Sequence, residues 1–87
     1  MTYRISYAPG VEKDLLKLPH KLLPRVDAAI TQLSQNPGPL GCTKLIGSSR
    51  TYRVRVGNYR IIYDIIENGR VVVVLIVAHR KEVYRGF

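Results

Sequence analysis

Thr51-Tyr52-Arg53-Val54-Arg55-Val56, Gly57-Asn58, Tyr59-Arg60-Ile61-Ile62-Tyr63-Asp64-Ile65-Ile66-Glu67, Asn68-Gly69, Arg70-Val71-Val72-Val73-Val74-Leu75-Ile76-Val77-Ala78-His79 is the stretch that decides the fold. Runs rich in β-branched and aromatic residues are broken by glycine–asparagine pairs, the punctuation of tight hairpins. Gly57 leads the first pair, as a type II′ turn requires, and Asn68-Gly69 suits a type I′ turn. The reading is an antiparallel three-stranded meander. Val71 to Val77 is apolar on both faces, which predicts an interior strand with a further partner on its free side.

Upstream, Tyr3, Ile5 and Tyr7 alternate with Arg4 and Ser6, a short strand suited to that free side. Residues 9–35 read as an αα-hairpin. Val11, Leu15 and Leu18 recur at helical spacing with Leu16 beside them, Glu12, Lys13, Asp14 and Lys17 take the other face, and Pro19 stops the helix. Leu22, Leu23, Val26, Ala29, Ile30 and Leu33 make the stripe of a second helix with Pro24 in its first turn, ended by Asn36-Pro37-Gly38-Pro39. Residues 40–50 read as a connector with a short edge strand, anchored by Leu45 and Ile46. The expected architecture is α+β: an N-terminal strand, an αα-hairpin and the meander, with both helices on one face of the sheet, in one domain over residues 1–87.

At 87 residues there is room for one core and one site. Lys and Arg number 14 against 6 acidic residues, a formal charge of +8, so the expected partners are polyanions. Cys42 is the only cysteine, which leaves no internal disulfide, no zinc cluster and a reducing, cytoplasmic setting as the expectation. Neither a signal-peptide core nor a membrane-spanning apolar run is present in the sequence.

The two-residue turn sets the hairpin register on paper: Val56 faces Tyr59, Arg55 faces Arg60, Val54 faces Ile61 and Arg53 faces Ile62. Arg53, Arg55 and Arg60 then share the face away from the helices. Charged residues do guard exposed strands, but like charges directly opposite are destabilising by a few tenths to ~1 kcal/mol. Asp64, diagonal to Arg53, offsets one charge of the three. An absent anionic ligand explains the excess, and arginine suits forked bonds to phosphate. Beyond the last strand, a regular ladder puts His79 on the face of Arg60 and Arg80 on the other; a bend or bulge would bring Arg80 round. Tyr84 is either a packing residue or a platform for an unstacked base.

The run from Tyr52 to Tyr63, the apolar strand, His79-Arg80 and Tyr84, together with the N-terminal strand and the αα-hairpin with Leu18-Pro19, resembles the RelE/ParE toxin superfamily over nearly the whole chain. The resemblance implies a RelE-like fold and a toxin of a type II toxin–antitoxin system. RelE members are ribosome-dependent endoribonucleases that cleave mRNA in the decoding site. ParE members share the fold but inhibit DNA gyrase.

By that resemblance Arg53 and Arg55 stand at the family's basic strand positions, Arg60 is its phosphate-binding arginine, Arg80 its terminal catalytic arginine and Tyr84 its C-terminal tyrosine. RelE enzymes commonly carry lysines where this chain has Arg53 and Arg55, and an arginine keeps its proton, so it serves as phosphate ligand rather than base. The implied reaction is attack of a ribose 2′-hydroxyl on the adjacent phosphate, without cofactor or metal. Tyr84, His79 or a group of the ribosome or RNA are the candidates for proton transfer. The implied partners are a cognate antitoxin, in a hetero-oligomer, and ribosome-bound mRNA. Two alternatives stay open: a ParE-like gyrase inhibitor without nuclease activity, and an RNA-binding domain that leaves the strand intact.

Overall fold

The N-terminal alternation forms β1 (Arg4–Tyr7), which pairs in parallel with the last strand of the sheet. The computed structural model describes residues 2–38 and 41–83. Gly10, left-handed at φ +95°, turns the chain into α1 (Val11–Leu16). Pro19 lies beyond its end, a 3₁₀ turn follows at His20–Leu22, and α2 (Leu23–Gln35) begins with Pro24 where no backbone donor is needed. The rest is strand: β2 (Thr43–Lys44), β3 (Thr51–Val56), β4 (Tyr59–Ile66) and β5 (Val71–His79). They form one sheet in the order β1-β5-β4-β3-β2, so the meander is the middle of five strands and the doubly apolar β5 is interior, as read.

Both helices cover one face. Val11 and Leu18, with Val26, Ile30 and Leu33 of α2, close on Val56, Ile61, Tyr63, Val72, Val74 and Val77. Each such side chain is worth about 1.5–3 kcal/mol when fully buried. Tyr63 is completely buried, and its hydroxyl donates to the Pro37 carbonyl at 2.7 Å, tying β4 to the segment after α2. Burial, reinforced by Cys42, pushes its phenol far above the ordinary tyrosine range.

Four local expectations are corrected. The second turn is not type I′: the left-handed residues are Gly69 and Arg70, at φ +91° and +54°, not Asn68. That geometry aims the Arg70 carbonyl at the Arg4 amide, 2.9 Å away, where the parallel pairing starts. Ile46 is no anchor, being fully exposed, and only Leu45 of that pair is half-buried. Leu16 is 80% exposed, because α1 ends there. Asp14 is not a solvent-face residue: its carboxylate accepts the Val77 amide at 3.0 Å, where β5 has run past the end of β1.

Candidate nucleic-acid interface

Gly57 has φ +59° and Asn58 is not left-handed, as in a type II′ turn, so β3 and β4 fold back in the register read from the sequence. Arg55 lies opposite Arg60, Arg53 opposite Ile62, and Val54 opposite Ile61. Ile61 belongs to the helix-side core, so the three arginines occupy the face that the helices leave open. Arg55 is exposed, while Arg53 and Arg60 are half-buried. Arg60 is braced by the turn: its Nη1 donates to the carbonyls of Tyr59 at 3.0 Å and Gly57 at 3.3 Å. Ile62 is completely buried on this face, between Arg53 on β3 and Ile76 on β5. An arginine stem beside it packs as well as carries charge.

Asp64 bounds the strip. It lies opposite Thr51, whose hydroxyl donates to Oδ1 at 2.6 Å, and Arg50 Nε is 3.4 Å from Oδ2. Sequence reasoning set Asp64 against Arg53 and missed Arg50. Strand alternation assigns position 50 to the helix side, so no periodic signal marks it.

The far end of the site depends on a bulge. Ile62 pairs with Ile76 but Tyr63 with Val74, which leaves Leu75 as an extra residue in β5. The slip reverses the parity of everything beyond it. Ala78, not Val77, faces Arg60, and His79 faces Tyr59, their rings edge to face at 5.3 Å. His79 is therefore on the helix side, contrary to the regular-ladder expectation. Its Nδ1 accepts the Lys81 amide at 3.2 Å, which assigns the proton of the neutral ring to Nε2. Arg80, two residues past Ala78, gains the parity of Arg60, and its amide donates to the Asn58 carbonyl at 2.8 Å. The bulge lies within β5 rather than at its end, and it gives the Arg80 position the backbone parity of Arg60. Tyr84 lies outside the described residues.

A cavity of about 420 Å³ lies at the β5 edge, against Pro9, Gly10, Ile76, Ala78 and Val83, and none of the three arginines lines it. Among the described residues no group of three or more His, Cys, Asp or Glu side chains is placed to hold a metal ion. No helix among them is long and apolar enough to cross a membrane. The arrangement can hold successive anionic groups of an extended polymer while presenting few partners to a compact ligand.

A family model described as ParE toxin of type II toxin-antitoxin system, parDE, matches residues 5–84. Toxin RelG of Mycobacterium tuberculosis is 34% identical over 86 residues, covering 98% of this chain and 99% of the relative. Putative toxin RelE1 of Methanocaldococcus jannaschii is 30% identical over 89 residues, covering 99% of each. Among solved structures, the archaeal RelE–RelB complex from Pyrococcus horikoshii OT3 contains a chain that superposes with a TM-score of 0.81 at 32% identity, covering 92% of this chain and 97% of that one.

Proposed function

The chain belongs to the RelE/ParE toxin superfamily and is the toxin of a toxin–antitoxin system, and from that premise we propose that it is a ribosome-dependent endoribonuclease that cuts mRNA. The observation that carries the reading is the unfavourable opposition of Arg55 and Arg60 on the open face of the sheet. Like charges facing each other across one rung are unfavourable by a few tenths to ~1 kcal/mol, and a phosphate bound at that rung would offset them.

In the proposed reaction the ribose 2′-oxygen loses its proton and attacks the adjacent phosphorus. The bond to the 5′-oxygen breaks in line, and that oxygen takes up a proton. The products are a 2′,3′-cyclic phosphate and a 5′-hydroxyl. Arg55 and Arg60 hold the non-bridging oxygens as charge builds there, Arg53 holds the neighbouring phosphate, and Arg80 enters from the β5 side. Such preorganised charge is often the largest catalytic contribution. Proton transfer falls to Tyr84 or to a group of the ribosome or RNA, since Arg53 keeps its proton and His79 faces the helices. The archaeal relative is seen in complex with RelB, and a cognate antitoxin that masks this basic face in a hetero-oligomer is part of the same proposal.

Incubation with translating ribosomes and mapping of mRNA ends tests it. New 5′-hydroxyl ends at discrete codons support the reading; intact mRNA with inhibited gyrase supercoiling would replace it with the ParE-type activity that the family model's description favours.

A further inference from the structure

We propose that Arg50 extends the arginine strip by one phosphate, as a positioning residue that holds the RNA strand without touching the bond that breaks. The inference rests on the endoribonuclease reading above. Arg50 is the last residue before β3, and its carbonyl accepts the Ile65 amide at 2.9 Å, continuing the ladder. By alternation its side chain belongs with Tyr52 on the helix side. Its Nε nevertheless lies 3.4 Å from Asp64 Oδ2, so the guanidinium has crossed to the open face.

The anchor is itself fixed. The Asp64 side chain is 13% exposed, and its Oδ1 accepts from Thr51 Oγ1 at 2.6 Å. Ser48 Oγ donates to Thr51 Oγ1 at 2.7 Å and accepts the amides of Arg50 and Thr51 at 3.2 and 3.0 Å. A chain of hydroxyls thus sets the carboxylate, and the carboxylate sets the guanidinium. As a stabilising device this ion pair is weak, because the Arg50 side chain is 60% exposed. As a positioning device it suits the strip: the contact through Nε holds the guanidinium beside Asp64, and the fork of arginine donors matches phosphate geometry.

Spacing supplies the second argument. Residues on one face of a strand recur every ~6.7 Å, so Arg55, Arg53 and the Thr51 position form an even row along β3. Asp64, opposite Thr51, draws the Arg50 head to the third place in that row. A single strand lying along β3 then meets positive charge at each of three successive steps.

The test uses 2′-O-methyl oligonucleotides, which lack the attacking hydroxyl, as a dinucleotide and a hexanucleotide, with anisotropy read across a salt series. Arg50→Ala is expected to weaken the hexanucleotide about 10-fold at low salt and to lower its log–log salt slope by ~0.7, leaving the dinucleotide and the melting temperature unchanged. Arg50→Lys should restore the slope. In an Asp64→Asn background the Arg50→Ala effect should shrink several-fold, because the anchor is gone. Arg50→Ala binding the hexanucleotide like the parent, or weakening both lengths equally, overturns the inference. Arg60→Ala separates the two levels: if it weakens binding while Arg50→Ala does not, only the role of Arg50 falls. If the parent protein shows no salt-dependent binding, the RNA reading falls and takes this one with it.

Discussion

Arg55 is the most exposed of the strip arginines and faces Arg60 across the ladder. Like charges across one rung disfavour folding, so Arg55→Thr should raise the melting temperature by about 2–4 °C at low salt and, on the proposed function, weaken RNA binding. A clear drop in stability would mean the pair is supported within the protein itself. Arg60→Ala, at a half-buried site braced on the carbonyls of Gly57 and Tyr59, should melt near the parent yet cut mRNA at least ~100-fold more slowly. Unaltered toxicity in a growth assay would remove Arg60 from the site. Arg53→Lys should retain or improve cleavage, because lysine keeps the charge and restores a group able to lose a proton. Abolished single-turnover cleavage with intact RNA binding would show that the arginine fork itself serves the transition state.

At the scale of elements, β5 depends on a side chain to finish its edge. The Asp14 carboxylate receives the Val77 amide beyond the end of β1. Asp14→Ala should lower stability by about 1–3 kcal/mol and open the edge to pairing between copies. Asp14→Asn, which keeps an acceptor, should recover part of the loss; calorimetry and light scattering read the two effects. The elements also show what the sequence could tell. The β3–β4 register was legible because a turn led by Gly57 permits few alternatives, and the arginine face followed from it. The slip at Leu75 was not, because a strand apolar on both faces carries no alternation to betray where parity changes. His79 and Arg80 were misassigned or left conditional for that one reason. Asp14 and Arg50 escaped notice because each reaches off its own element, and periodicity describes only where a side chain starts.

The whole molecule carries a formal charge of +8 on 87 residues, and the open face of its sheet concentrates arginine. Moderate salt should therefore raise its melting temperature from a low-salt value, opposite to the effect expected of salt on the proposed RNA binding. A melting temperature that falls with salt would mean that attractive pairs dominate. The sheet is also closed by its most distant parts: β1, near the start of the chain, pairs in parallel with β5, near its end. Contacts so far apart in sequence form late, after the local hairpin of β3 and β4. During synthesis, the arginine hairpin emerges before the strand that completes its support, so a nascent chain still lacking β5 holds the charged residues without the platform that organises them.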